Sequence, residues 1–253
     1  MSAPLTEGRL WLWPICVIPT YNRYASISSK TLAYLKSVGY PASKITLFVS
    51  DIDQEKLYSG TIDRELYGTI EVGVKGLAEQ RNFITQFYPE DTILISMDDD
   101  IKKIDLPNMS FQSLVRMALE WLRPLKGGLF GVLPNDDKRR YSDKTTTHLT
   151  HILGAFYICR NHKDIIITHS EKEDYERSIL YFQRYGEVYR YRGGGVQTTY
   201  QKGDGGLNTA DRRLRQEEGV KNITQRYPGY VKRMDKKGFP DVLLDWRATK
   251  RMY

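Results

Sequence analysis

The sequence lacks long apolar runs and has little cysteine. It contains 253 residues but two cysteines, Cys16 and Cys159, which are too few for a disulfide framework. Its longest apolar runs, around Cys16, Ile93 and Ile165, are well short of the roughly 20 residues that cross a bilayer. The N-terminus also lacks the basic and apolar pattern of a secretory signal. We therefore expect a cytoplasmic protein that neither spans a membrane nor depends on disulfides.

The composition is globular, with an excess of positive charge. The hydrophobic fraction of 40% and the charged fraction of 27% exclude a disordered chain, and the formal net charge is +7. This excess favours a polyanionic partner, yet it is also common on proteins that bind no nucleic acid. A chain of this length can bury one substantial core, so we expect one domain over residues 1–253.

The first hundred residues alternate short β-rich segments with helix-like segments, which predicts an α/β fold. The predicted strands are 15–18, 45–49, 70–74 and 93–97, and the predicted helices are 30–38, 53–59, 77–87 and 111–122. Such an order predicts parallel strands joined by crossover helices, within a mixed sheet flanked by helices. Ligands of these sheets gather at the C-terminal ends of the strands.

Three consecutive carboxylates, Asp98, Asp99 and Asp100, follow the apolar strand that ends at Met97. Carboxylates that emerge from a buried strand repel one another, and a divalent cation with oxygen ligands relieves this repulsion while it bridges to a diphosphate. The alternative is a solvated acidic turn that caps a helix. The histidines lack the spacing of a zinc site, although one of them is a candidate to complete the metal shell.

Two polar segments follow the first two predicted strands. The first is Pro19-Thr20-Tyr21-Asn22-Arg23, and the second contains Asp51. Tyr21 can stack on a base and Arg23 can reach a phosphate, or the segment is an ordinary turn. Asp51 can accept hydrogen bonds from a base edge, or it caps the next helix.

A glycine opens the helix before the acidic strand. Gly76 lets a ligand approach the backbone, the helix N-terminus attracts a diphosphate, and Arg81 adds a positive charge. The alternative is an amphipathic helix with a solvated Arg81. Later, Glu173 and Asp174 begin another helix, where a carboxylate can act as a general base or can simply favour a first helical turn. Asp174 is the first candidate for the base and Glu173 the second.

These segments, in this order, resemble the family-2-like glycosyltransferases of the GT-A type. The residues that carry the resemblance are Ile18-Pro19-Thr20-Tyr21-Asn22-Arg23, Asp98-Asp99-Asp100, Gly76-Leu77-Ala78 with Arg81-Asn82, Gly154-Ala155-Phe156-Tyr157 and Glu173-Asp174. The resemblance implies a Rossmann-like sheet, with residues 1–107 binding a nucleotide-diphosphate sugar and residues 108–253 binding the acceptor.

The resemblance also implies a role for each site residue. Pro19, Thr20, Tyr21, Arg23, Asp51, Gly76, Arg81 and Asp99 would bind the nucleotide sugar. Asp98 and Asp100 would hold Mn²⁺ or Mg²⁺ against the donor diphosphate. Asp174, or else Glu173, would be the general base of an inverting reaction.

A narrower resemblance rests on the compact length and on the strand end Ser96-Met97-Asp98-Asp99-Asp100-Ile101. Both are similar to the TET-associated glycosyltransferases, which are encoded largely by phages and other viruses. This implies transfer from a UDP-sugar to a hydroxymethylated pyrimidine in DNA, in the host cytoplasm. The basic residues Lys138, Arg139 and Arg140 and the region 212–233 would bind the DNA.

Three other functions stay open at this stage. A GT-A enzyme could act on a glycan. A nucleotidyltransferase also places metal-binding carboxylates beside an α/β sheet, but it usually has a glycine- and basic-rich loop after its first strand, where this chain has residues 19–23. A non-catalytic DNA-binding module would leave Asp98–Asp100 without a purpose. The segment 193–206 is predicted to be a glycine-rich lid or linker, and no protein partner is inferred.

Overall fold

The computed structural model describes residues 13–124, 127–198, 209–236 and 238–249. The strands are β1 (Ile15–Pro19), β2 (Ile45–Val49), β3 (Thr69–Val72), β4 (Ile93–Met97), β5 (Ile101–Asp105), β6 (Leu129–Leu133), β7 (Thr145–Thr146), β8 (Phe156–Arg160), β9 (Tyr189–Thr198), β10 (Val231–Lys236) and β11 (Phe239–Leu244). The α-helices are α1 (Thr31–Ser37), α2 (Ile52–Thr61), α3 (Leu77–Phe87), α4 (Phe111–Leu122), α5 (Glu173–Tyr185) and α6 (Thr209–Arg226).

A nine-stranded mixed sheet forms the centre of the fold. Its strand order is β3-β2-β1-β4-β8-β6-β9-β5, and β7 pairs with β9. The strands β3, β2, β1 and β4 are mutually parallel, whereas β8 runs antiparallel to both β4 and β6. The α/β mixed sheet predicted from the sequence is therefore confirmed. The remaining strands, β10 and β11, form a separate antiparallel hairpin.

Helices cover both faces of the sheet. On one face, α1 and α4 pack against the sheet through buried residues such as Leu35, Leu114 and Leu122. On the other face, α3, α5 and α6 contribute Ile84, Ile179 and Val220 to a second core cluster. Buried strands between two helical layers explain why β1, β2 and β4 are almost wholly apolar in sequence. None of the helices in the described residues is both long and apolar enough to span a membrane.

The C-terminal third differs from its sequence interpretation. The glycines at 193–195 lie in β9 rather than in a lid, because the backbone needs close approaches there: a Cβ on Gly195 would lie 2.0 Å from the Asn135 oxygen. The rest of the predicted lid, residues 199–206, lies outside the described residues. After α6 the chain forms the hairpin β10–β11, in which Asp241 accepts a hydrogen bond from Lys172 Nζ at 2.7 Å.

Candidate active site

The parallel strands bring the polar segments to one edge of the sheet, here called the C-terminal edge. The ends of β1 and β2 meet there, since the Thr20 amide donates to the Phe48 oxygen at 2.9 Å. The end of β4 lies beside them and carries the acidic turn, whose Asp98 amide donates to the Ala155 oxygen at 2.9 Å. This is the edge at which ligands of open α/β sheets bind.

A chain of hydroxyl groups connects the β1 loop to the acidic turn. The Thr20 hydroxyl donates to Asp99 Oδ2 at 2.6 Å, and Tyr58 OH lies 2.6 Å from the same Thr20 oxygen. Because the single Thr20 proton goes to Asp99, Tyr58 donates to Thr20 and accepts the Arg23 amide at 2.9 Å. The β1 loop and the acidic turn are therefore held as one unit.

Burial and mutual repulsion both disfavour the charged forms of Asp99 and Asp100 in the acidic turn. Burial, opposed by the hydrogen bond from Thr20 and reinforced by repulsion from Asp98, raises the pKa of Asp99 to about 6. Burial and repulsion from Asp98 also raise the pKa of Asp100. A divalent cation would relieve both effects, so the turn fits the predicted ion.

Any such ion would need ligands from outside the turn. The Asp98 side chain is 32% exposed, and one of its oxygens is taken by Arg81. Among the described residues, three potential ligand atoms within 4.8 Å of one another occur at Glu90, Asp91 and His162 rather than at the acidic turn. A cation held by Asp98 and Asp100 would complete its shell with oxygens of a bound diphosphate, as the sequence predicted.

The Glu90, Asp91 and His162 group lies at the opposite edge of the sheet, ahead of β4. Arg160 pairs with Asp91 at 3.3 Å and Arg184 approaches Glu90 at 3.8 Å. Arginines therefore already balance its carboxylates.

A buried ion-pair network lies under the acidic turn. Arg81, 4% exposed, donates to Asp98 Oδ1 at 2.8 Å, to the Gly154 oxygen at 2.9 Å and to Glu173. The second Glu173 oxygen accepts from Arg177. The alternative of a solvated Arg81 is thus wrong, because its guanidinium orients Asp98. Its predicted contact with a donor diphosphate stays a prediction, as does the role of Glu173 as an alternative base.

Asp174 forms a hydrogen-bonded pair with His151. The distance from Asp174 Oδ2 to His151 Nε2 is 2.7 Å, and the Tyr175 amide donates to Oδ1 at 3.0 Å. The His151 ring stacks on Tyr175 at 4.1 Å between centroids and 9° between planes. Burial would raise the pKa of Asp174, but attraction to His151 and its hydrogen bond outweigh burial and hold it at about 2.

His151 is a candidate that the sequence interpretation did not assign to the base. It lies 23 residues before Asp174, and no spacing rule connects a histidine in a coil segment to a carboxylate on a later helix. The same holds for Tyr58 on α2, which reaches Thr20 across 38 residues.

The residues predicted to bind the nucleotide lie at the C-terminal edge where β1 and β2 end and α3 begins. Tyr21 is 45% exposed, and Lys75 Nζ lies 5.5 Å from its ring centroid. Asp51 accepts from the Gln54 amide at 2.9 Å as the N-cap of α2, so the capping alternative is confirmed. The hydrogen bonds from Ser50 and from the Gln54 amide lower the pKa of Asp51, and Lys75 contributes to the same shift.

Gly76 is the N-cap residue of α3 and has a φ of +105°, a conformation that glycine adopts readily. Pro19 is the last residue of β1 and is buried. Contacts of the nucleotide with Pro19, Thr20, Tyr21, Arg23, Asp51, Gly76 and Asp99 stay predictions.

Comparison with known proteins gives structural matches. Neither a protein-family model nor a curated protein sequence matches the chain significantly. The S. aureus protein TarS, residues 1–349, is similar in structure with a TM-score of 0.51 at 14% identity, over 84% of this chain and 66% of that one. The mannosyltransferase PcManGT of Pyrobaculum calidifontis, solved with GDP-Man and Mn²⁺, gives a TM-score of 0.52 at 15% identity, over 84% of this chain and 63% of that one.

The matched part spans slightly less than two thirds of either of these proteins. A mycobacterial protein matches with a TM-score of 0.50 at 12% identity, over 91% of this chain and 84% of that one. Likeness at such identities concerns the fold. The chain has the GT-A type of mixed α/β fold that its sequence predicted.

Proposed function

We propose that this chain is a metal-dependent glycosyltransferase that moves a sugar from a nucleotide-diphosphate sugar, with a UDP-sugar preferred, to a hydroxymethylated pyrimidine in DNA. The observation that carries the proposal is that hydrogen bonds connect the acidic turn both to the β1 loop and to the segment before β8. Thr20 ties Asp99 to the β1 loop, and Arg81 ties Asp98 to Gly154 and Glu173 beside Asp174. One turn thus touches both the donor side and the acceptor side.

The donor side uses the exposed residues at the ends of β1 and β2. Tyr21 offers a ring face for the base and Lys75 lies over that ring, while Arg23 and the α3 N-terminus favour the diphosphate. Asp98 and Asp100 would hold Mn²⁺ or Mg²⁺ together with diphosphate oxygens. When bound, this ion would stabilise the negative charge that develops on the departing nucleotide. The mannosyltransferase with a similar fold was solved with GDP-Man and Mn²⁺.

The acceptor side uses the pair of Asp174 and His151. In the proposed inverting reaction, the acceptor hydroxyl loses its proton to this pair while its oxygen bonds to the anomeric carbon. The bond from that carbon to the diphosphate oxygen breaks, and the nucleotide diphosphate leaves with the bonding electrons. Glu173 is less suited to this step than Asp174, because its side chain is 7% exposed and both of its oxygens pair with arginines, whereas the Asp174 side chain is 19% exposed.

The positive charge of the chain supports a DNA acceptor rather than a neutral glycan. Lys138 and Arg140 are exposed in the segment that connects β6 to β7. Other basic residues of the predicted DNA surface are already paired, since Arg139 donates to Asp137 and Arg233 donates to Glu217. The side chain of Arg212, at the start of the predicted basic region, lies outside the described residues.

Mass spectrometry of nucleosides tests donor and acceptor together. Hydroxymethylated DNA would be incubated with a panel of nucleotide sugars and Mn²⁺ or Mg²⁺, then digested to nucleosides. We expect one sugar to be added to the hydroxymethylpyrimidine, with unmodified DNA and the Asp100→Ala protein as controls. Transfer to a glycan but not to DNA would show that the proposed acceptor is wrong. Failure of every donor to bind or to be consumed would overturn the glycosyltransferase.

A further inference from the structure

Two arginines of β9 face the acceptor side of the sheet. Arg190 and Arg192 alternate along the strand with the buried residues Tyr189 and Tyr191. Side chains two residues apart in a strand lie on the same face. The Tyr189 ring packs on Trp121 of α4, so the arginines lie on the opposite face, which is the face of α5.

The chain before β7 adds a third arginine to this group. The Ser142 amide donates to the Arg192 oxygen at 3.0 Å, the Arg192 amide donates to the Lys144 oxygen at 2.9 Å, and Thr146 pairs with Arg190. This antiparallel pairing brings Arg140, two residues before Ser142, towards Arg192, and the charge of Arg140 acts on Arg190. Arg140, Arg190 and Arg192 are called the arginine cluster below.

The arginine cluster adjoins the Asp174 and His151 pair. Arg190 Nη1 donates to the His151 main-chain oxygen at 3.3 Å. Gly131, the partner of Arg190 in β6, lies against Ile152 on the same face, since a Cβ there would be 2.6 Å from Ile152 Cγ2. A ligand that contacts Arg190 would therefore lie next to the residues assigned to the acceptor hydroxyl.

The arginine cluster forms no ion pair in the described part of the chain. The buried arginines Arg81, Arg160 and Arg177 each pair with a carboxylate. In the part-buried Arg190 and Arg192 and the exposed Arg140, no nitrogen lies within 4.0 Å of a carboxylate oxygen of the described residues. The Nε atom of Arg190 is buried and makes no hydrogen bond within the same residues, as is also the case for the Nε atoms of Arg81 and Arg160.

The energetic cost of this arrangement falls on Arg190. Burial, and then the charges of Arg192 and Arg140, lower the pKa of Arg190 to about 10. Charge held in this way is costly unless an anion compensates it.

We propose that the arginine cluster binds a phosphate of the acceptor DNA, adjacent to the nucleotide whose hydroxymethyl group reaches Asp174 and His151. This inference rests on the proposed function and specifies how its acceptor is held. Guanidinium groups bind phosphate oxygens through paired, charge-assisted hydrogen bonds. A phosphodiester supplies such an anion at a fixed distance from every base. The cluster would position one nucleotide of the strand relative to the base that is modified.

Binding of a short single-stranded oligonucleotide that contains hydroxymethylcytosine tests the proposal by fluorescence anisotropy. For Arg190→Gln we expect roughly 10- to 100-fold weaker binding, as for a lost charge-assisted hydrogen bond. The slope of log affinity against log salt should become shallower by about 0.7. Arg192→Gln tests the same cluster if Arg190→Gln fails to fold. The control is Arg123→Gln, which removes an exposed arginine at the opposite edge, where the Arg123 oxygen accepts from Arg160.

Sugar transfer to acceptors with and without a phosphate distinguishes two roles of Arg190. One role is binding of the phosphate, and the other is positioning of His151 through the hydrogen bond to its main-chain oxygen. We expect Arg190→Gln to raise KM for the oligonucleotide and to leave KM for the free hydroxymethyl nucleoside unchanged; a hydroxymethyl nucleoside 5′-phosphate shows whether a terminal phosphate suffices. Equal losses on nucleoside and oligonucleotide, or equal binding by Arg190→Gln and Arg123→Gln, would overturn the phosphate site. If wild-type protein consumes no nucleotide sugar, the proposed function fails, while the binding comparison still decides the phosphate site.

Discussion

The carboxylate of Asp174 and the ring of His151 form the pair to which we assign the proton transfer. Their 2.7 Å contact keeps the carboxylate ionised and its oxygen fixed. Positioned proton transfer typically contributes about 10² to 10⁴ in rate. We expect Asp174→Asn to lower kcat by a factor in this range and to keep the donor affinity, measured by steady-state kinetics and calorimetry. Normal turnover with lost donor affinity would make Asp174 a binding residue.

Replacement of His151 tests the electrostatic side of the same pair. The pKa of Asp174 is about 2 because attraction to His151 and its hydrogen bond outweigh burial. In His151→Gln the attraction is lost, so the pKa of Asp174 should rise. Because the base must be ionised, the acidic limb of kcat/KM against pH should move to higher pH. His169→Gln, a part-exposed histidine, serves as the control, and an acidic limb at the same pH in both variants would contradict the prediction.

A third single-residue replacement tests the acidic turn. We expect Asp100→Ala to abolish the metal-dependent part of nucleotide-sugar binding in calorimetry, because the turn loses one of its two predicted ligands. The far-UV circular dichroism should be unchanged. Asp235→Ala, which removes a 68% exposed carboxylate of β10, is the matched control. Unchanged metal-dependent binding in Asp100→Ala would remove the metal assignment.

At the scale of secondary-structure elements, an ion pair between Arg81 of α3 and Glu173 of α5 lies beside Gly154, just before β8 begins. A Cβ on Gly154 would lie 2.3 Å from Glu173 Oε1 and 2.7 Å from Arg81 Nη1. We therefore expect Gly154→Ala to displace the ion pair and to lower the free energy of unfolding by about 1–3 kcal/mol, measured by denaturant titration. Gly60→Ala in α2 is the control: nothing lies within 4 Å of its Cβ, so helix propensity should raise stability by about 0.4–1 kcal/mol. A neutral Gly154→Ala would show that the network can relax.

Elements with one periodic pattern were predictable, and elements with mixed patterns were not. The apolar run 93–97 and the amphipathic segment 111–122 match β4 and α4 at both ends. The hairpin β10–β11 was missed because Val231–Lys236 carries charges on both sides and is buried mainly through its first residue. Its pairing with Phe239–Leu244, rather than its own composition, makes it a strand.

At the scale of the whole molecule, the net charge of +7 predicts a dependence on salt. Each phosphate contact releases counterions, so affinity for DNA falls steeply as salt rises. We expect transfer to hydroxymethylated DNA to decline with added salt and transfer to the free nucleoside to stay level. Replacement of Arg139 and Arg140 together should weaken DNA binding in anisotropy and spare donor binding in calorimetry. Equal activity on both acceptors at every salt concentration would contradict the DNA acceptor but not the glycosyltransferase activity.

Local patterns in the sequence determined where the buried strands lie and which polar residues follow them. An apolar run must be buried, so Asp98–Asp100 after β4 and Thr20 after β1 had to emerge at a sheet edge. The tertiary structure alone decided which of these groups meet. Arg81 reaches Glu173 across 92 residues, and Thr20 reaches Asp99 across 79. Such contacts arise from strand order and helix packing, which no spacing along the chain encodes, and for this reason His151 and the arginine cluster became visible in the fold.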